Sequence, residues 1–161
     1  MWTRSSHLCV PSGLWTNKST YEAQLAAHGR LVYTNVGDSM MPLIRQNRDL
    51  LVVEAKPAPY RKYDAVLYKR PNGQYVLHRI IGVRQDGYVL CGDNRWRREY
   101  GVQDSWILGV LTAVVRDGKE FSVSRRSYRL AVRLWCELFW IRSWILRIRD
   151  RIRREMRKRG K

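Results

Sequence analysis

The sequence predicts a mainly β protein: a coiled antiparallel sheet with a short helix before it and a long basic amphipathic helix after it. Between Leu31 and Val123, short runs of β-branched, aliphatic and aromatic residues alternate with turn dipeptides, with no helical stretch between them. A capping pattern stands just ahead of these runs. Behind them the apolar spacing changes to alternating fours and threes.

Residues 1–17 read as a flexible arm. Ser19 and Glu22 form a capping box, and Tyr21, Ala23, Leu25 and Ala26 follow before Gly29 stops the helix. Strands are expected at Leu31–Val36, Leu50–Glu54, Ala65–Tyr68, Tyr75–Val83, Tyr88–Cys91 and Ile107–Val115. Asn72-Gly73, Asp86-Gly87 and Asp117-Gly118 each suit a type I′ hairpin, and Pro57-Ala58-Pro59 marks a loop. The expected β-domain therefore covers residues 18–123.

Residues 124–161 form the expected helical tail. Leu134, Leu138, Ile141, Ile145, Ile148 and Ile152 fall on one helical face. Arg126, Arg129, Arg133, Arg147, Arg151 and Arg154 take much of the other, with a break expected near Ser143. The whole chain carries 31 Lys and Arg against 14 Asp and Glu, a formal +17. The tail holds 14 basic and 3 acidic residues, so most of that excess is its own.

Such charge seeks an anionic partner, a membrane surface or a nucleic acid. The tail's aromatics sit at helical spacing like an apolar face, so nucleic acid is not expected. Spanning a bilayer is marginal. Leu130–Ile148 contains Glu137 and Arg142 near mid-span. Each central charge costs about 2.5–3.5 kcal/mol, against about 0.3–0.6 returned per large apolar residue. Lying in the interface is easier, and Trp135, Trp140 and Trp144 suit the headgroup level. The competing expectation is a helix that covers its own β-domain or pairs with a second copy. Localisation is accordingly expected to be peripheral to a membrane or cytoplasmic.

Cys9, Cys91 and Cys136 show neither a CxxC pair nor metal-ligand spacing, so ordinary thiols and no metal or cofactor are expected. The first ten residues contain one basic residue, Arg4, with no apolar run of signal-peptide length after it.

The segment Val36-Gly37-Asp38-Ser39-Met40-Met41-Pro42 places a serine after an apolar strand and beside a glycine. A hydroxyl becomes a nucleophile when a base takes its proton and donors stabilise the oxyanion, a task open to the Ser39 N–H. A serine there also serves as a local backbone hydrogen-bonder. His78 shares a strand face with Val76 and Ile80, where a packed structural histidine is the common outcome. Asp93 of the turn Cys91-Gly92-Asp93-Asn94 is a candidate to orient it, with Glu99 and Asp104 as further carboxylates. His7 and His28 have no comparable setting.

In order, Gly37-Asp38-Ser39-Met40-Met41-Pro42, Tyr63-Asp64-Ala65-Val66, His78-Arg79-Ile80, Gly92-Asp93-Asn94 and Ile107-Leu108-Gly109-Val110 resemble the blocks of the type I signal peptidase and LexA-like superfamily. The resemblance covers about Leu31 to Val115. It implies a serine endopeptidase without cofactor, acting on a peptide or leader segment. His78 in place of lysine is similar to the endoplasmic-reticulum and archaeal branch, which implies Ser39 as nucleophile and His78 as general base. In that branch an acidic residue of the Gly-Asp-Asn region assists, here Asp93, and a second acidic residue follows several positions on, for which Glu99 or Asp104 is available.

A lysine base needs its pKa depressed by about three units, whereas an ordinary histidine near 6.5 needs only orientation. Two departures narrow the resemblance. Residues 1–30 contain no transmembrane anchor before the serine block, and they are too short for a DNA-binding helix-turn-helix. The alternative is a non-catalytic or self-processing β-module that binds anionic membrane or nucleic acid through its basic helix.

Overall fold

The computed structural model describes residues 20–159. The expected arm and Ser19 lie outside them. The first helix, α1 (Tyr21–His28), is capped by Thr20, whose Oγ1 accepts from the Ala23 N–H at 3.2 Å. The expected capping box of Ser19 and Glu22 rests on a residue outside the described range, and Glu22 itself faces the sheet. Its carboxylate is taken by Lys69 and Tyr75 on the sheet. Gly29 ends the helix at φ +64°, donating its N–H to the Leu25 carbonyl.

Eight strands follow: β1 (Arg30–Thr34), β2 (Leu50–Glu54), β3 (Ala65–Lys69), β4 (Tyr75–Arg84), β5 (Gly87–Cys91), β6 (Glu99–Val102), β7 (Ile107–Arg116) and β8 (Lys119–Ser122). All pair antiparallel in the order β1-β2-β7-β3-β4-β5-β6. β8 pairs with the end of β7 that runs past β3. The mainly β, antiparallel expectation is therefore met. β6 and β8 are additions, each four residues long and without the apolar run that marks the others.

Of the three expected type I′ turns, only Asp117-Gly118 has positive φ at both residues, 50° and 76°. Asn72-Gly73 instead follows a turn closed by Gly73 N–H to the Arg70 carbonyl, with Gly73 alone at positive φ.

Strand alternation splits the core into two clusters. Ala65 and Leu67 of β3 join Leu25, Leu31, Met40, Ile44, Leu51 and Leu77. Val66 and Tyr68, one step out of phase, join Ile80, Leu90, Val102 and Val110. Each fully buried aliphatic contributes about 1.5–3 kcal/mol. Met40 and Ile44 matter most here, because both are fully buried and anchor the otherwise irregular segment 35–49 that carries Ser39.

The tail forms two helices, α2 (Arg126–Glu137) and α3 (Phe139–Arg159). The break comes at Leu138 rather than Ser143, which stays helical and donates its hydroxyl to the Trp140 carbonyl. The tail packs on the β-domain through a face other than the apolar stripe. Val132, Cys136, Phe139, Arg142, Ser143 and Leu146 are buried. Leu134, Leu138, Ile141, Ile145, Ile148 and Ile152 are exposed. Arg142 lies over Trp135 at 5.4 Å and Phe139 at 5.0 Å, a cation stacked on the buried side.

Candidate active site

Ser39 sits in the turn after β1, and hydrogen bonds from two directions hold this turn. Asn47 N–H donates to the Asn35 carbonyl at 2.8 Å, and Asn35 Nδ2 donates to the Gly37 carbonyl at 2.7 Å. From the loop after β5, Asn94 N–H donates to the Ser39 carbonyl at 2.7 Å, and Asn94 Nδ2 donates to the Asp38 carbonyl. Arg95 pairs with the Asp38 carboxylate and holds it below the usual carboxylate range. The serine turn is thus fastened to the Gly92–Arg95 loop.

His78 stands mid-way along β4, opposite Val66 of β3, on the face shared with Val76 and Ile80. It is 7 % exposed, and its Nδ1 has protein partners. Nδ1 lies 2.9 Å from Glu99 Oε1. Tyr68, diagonal to it on β3, brings its hydroxyl to 3.4 Å from the same nitrogen. A neutral imidazole that donates from Nδ1 carries its lone pair on Nε2.

Nε2 meets the serine turn at Gly92. A Cβ at this position would lie 3.1 Å from His78 Nε2 and 2.7 Å from the Ser39 carbonyl oxygen. His78 Nε2 and the Ser39 carbonyl therefore both pack against Gly92, so closely that no side chain fits there. Ser39, His78 and Glu99 line a groove of about 770 Å³, with Arg70, Arg95 and Arg97 at its sides.

Glu99 enters from β6, paired in register with Leu90. Burial pushes its carboxyl up, but hydrogen bonds from His78, Arg70 and Tyr68 outweigh this and bring it down to about 2. Arg70 grips both oxygens, one through Nε at 2.9 Å. Tyr68 moves the other way: burial and the adjacent carboxylate raise its phenol, which keeps the proton it donates.

Of the three carboxylates considered in the sequence, the structure brings only Glu99 to His78. Asp93 belongs to the other side of the strand, where both its oxygens accept from Arg79, at 2.9 and 2.7 Å. Arg79 points away from His78 because neighbours on a strand face opposite ways. Asp104 accepts from the Tyr88 hydroxyl at 2.8 Å. Burial raises the Cys91 and Cys136 thiols to about 11, so both stay protonated. Among the described residues no group of three His, Cys, Asp or Glu side chains is placed to hold a metal ion.

Sequence reasoning did not find the parts played by Tyr68, Arg70 and Arg95. Arg95, directly after the Gly-Asp-Asn turn, carried the nearest signal. Comparison with protein-family models, with curated proteins and with solved structures returned no match.

Proposed function

We propose that this chain is a serine endopeptidase, signal-peptidase-like and LexA-like in its sheet, with Ser39 as nucleophile, His78 as general base and Glu99 as the carboxylate that orients it. The observation that carries the reading is the convergence of His78 Nε2 and the Ser39 backbone on Gly92, beside a groove that both Ser39 and His78 line. Ser39 Oγ attacks a peptide carbonyl carbon while His78 Nε2 takes its proton, and the new imidazolium is stabilised by Glu99. The Ser39 N–H serves the oxyanion. His78 then returns the proton to the departing amine, and water, activated by the same nitrogen, hydrolyses the ester.

The groove suits an extended peptide segment. Cleavage of a mixed peptide library by the purified chain, read by mass spectrometry, tests the assignment. Ser39→Ala and His78→Ala should each lower turnover by about 10⁴–10⁶. Equal cleavage by Ser39→Ala with its fold intact ends the proposal. The intact mass of the incubated chain separates action on other proteins from self-cleavage.

A further inference from the structure

Helices α2 and α3 hold the β-domain with one face and turn their more apolar face to solvent. Leu134, Leu138, Ile141, Trp144, Ile145 and Ile152 are each more than half exposed, and Trp140 is 77 % exposed. These residues recur at three- and four-residue intervals over both helices, so they form one stripe. A stripe this long on a soluble surface marks an interaction site. No helix among the described residues is long and apolar enough to cross a membrane.

Charge identifies what covers it. By helical spacing Arg129, Arg133, Arg147 and Arg151 run along one border of the stripe. At the α2 end the border opens into a groove of about 520 Å³ lined by Lys56, Arg61, Lys62, Arg126, Arg129 and Arg133, where Asp64 is the one lining carboxylate and Lys62 pairs with Glu137 at 3.2 Å. Leu130, 59 % exposed, belongs to both stripe and groove. A second copy would bring a second arginine row and cationic groove to the same interface. An anionic phospholipid surface accepts the stripe in its acyl boundary and supplies phosphates to the groove.

We propose that the exposed stripe of α2 and α3 is an interfacial membrane-binding face and the adjoining cationic groove its anionic-headgroup site. This is independent of the catalytic reading. The opposite face of the helices holds the candidate site's loop: Trp135 Nε1 donates to the Asp93 carbonyl at 2.9 Å, and Arg149 to Asn94 Oδ1 at 2.8 Å. Docking therefore sets that loop about one helix diameter, roughly 10 Å, from the bilayer surface.

The test is co-sedimentation of the full chain with phosphatidylglycerol/phosphatidylcholine vesicles and with phosphatidylcholine alone. Binding is expected to the first, to weaken with salt, and to blue-shift tryptophan emission, the shift shrinking in Trp140→Phe/Trp144→Phe. Arg129→Gln and Arg133→Gln should each weaken it by about fivefold. Ile141→Ser/Ile145→Ser should abolish it with circular dichroism and melting unchanged, because both side chains are exposed. Three outcomes overturn the proposal: no binding to anionic vesicles, equal binding by the Ile141→Ser/Ile145→Ser variant, or binding to nucleic acid in place of vesicles. A wild-type dimer dispersed by the same double variant, without vesicle binding, assigns the stripe to a second copy instead.

Discussion

His78 Nδ1 and Glu99 Oε1 lie 2.9 Å apart, joining residues from β4 and β6 across the end of β5. A carboxylate held to about 2 and facing an imidazole fixes the tautomer and stabilises the imidazolium that proton transfer creates. In the proposed mechanism this pair would orient the general base across a single hydrogen bond.

Glu99→Gln keeps the shape of this contact and removes the charge. Turnover in peptide cleavage should fall by about 10⁴, with KM little altered, as for an orienting carboxylate in a triad. Steady-state kinetics on a cleaved library peptide checks it. A loss below about tenfold would remove Glu99 from the catalytic arrangement.

Asp93 should behave in the opposite way. Its pair with Arg79 is buried, the side chains 1 % and 2 % exposed. Asp93→Ala leaves a guanidinium in the interior without its partner, at a cost of about 3–5 kcal/mol. Denaturant titration should register that loss. A variant as stable as the parent but inactive would return Asp93 to the site.

The contrast between these two carboxylates shows where the sequence was legible. Strands with dense apolar runs, β2, β3, β4 and β7, are readable because burial on a pleated face imposes their composition. The face of His78 followed from strand parity alone. Glu99 was only one of three candidates, because β6 is a four-residue strand, Glu-Tyr-Gly-Val, paired through a register shift with β5. Nothing local distinguishes its Glu from a turn residue. Periodicity also marked the stripe on the tail but left open whether it faces the sheet or the outside. Val132, Cys136, Phe139 and Leu146 make a second, thinner apolar face, and the shape of the β-domain selects that one.

Gly92→Ala tests this close approach itself. The added methyl would stand 2.7 Å from a backbone oxygen already held by Asn94 N–H, so that neighbour cannot easily yield. Overpacking of this kind costs about 1–3 kcal/mol. Catalysis should suffer more than stability, because the displaced groups are Ser39 and His78. Full peptidase turnover in Gly92→Ala, with melting unchanged, would show that the approach is not used.

Acid should weaken the fold through two carboxylates. Hydrogen bonds from Lys69 and Tyr75 lower Glu22 to about 2. Glu99 is pushed up by burial, yet His78, Arg70 and Tyr68 bring it to a similar value. In the unfolded chain both return towards the ordinary 4.5, so between these values the unfolded state binds more protons. Stability they supply is therefore complete above about pH 4.5 and lost as pH falls towards about 2. Denaturation midpoints measured across that interval should drop, with a shallower slope in Glu22→Gln and shallower again when Glu99→Gln is added. The two changes should combine almost additively, since the residues share no partner: Glu22 ties α1 to the sheet and Glu99 ties β6 to β4. Midpoints that stay level from about pH 4.5 to about 2 would mean that neither carboxylate is held in its charged form by the fold.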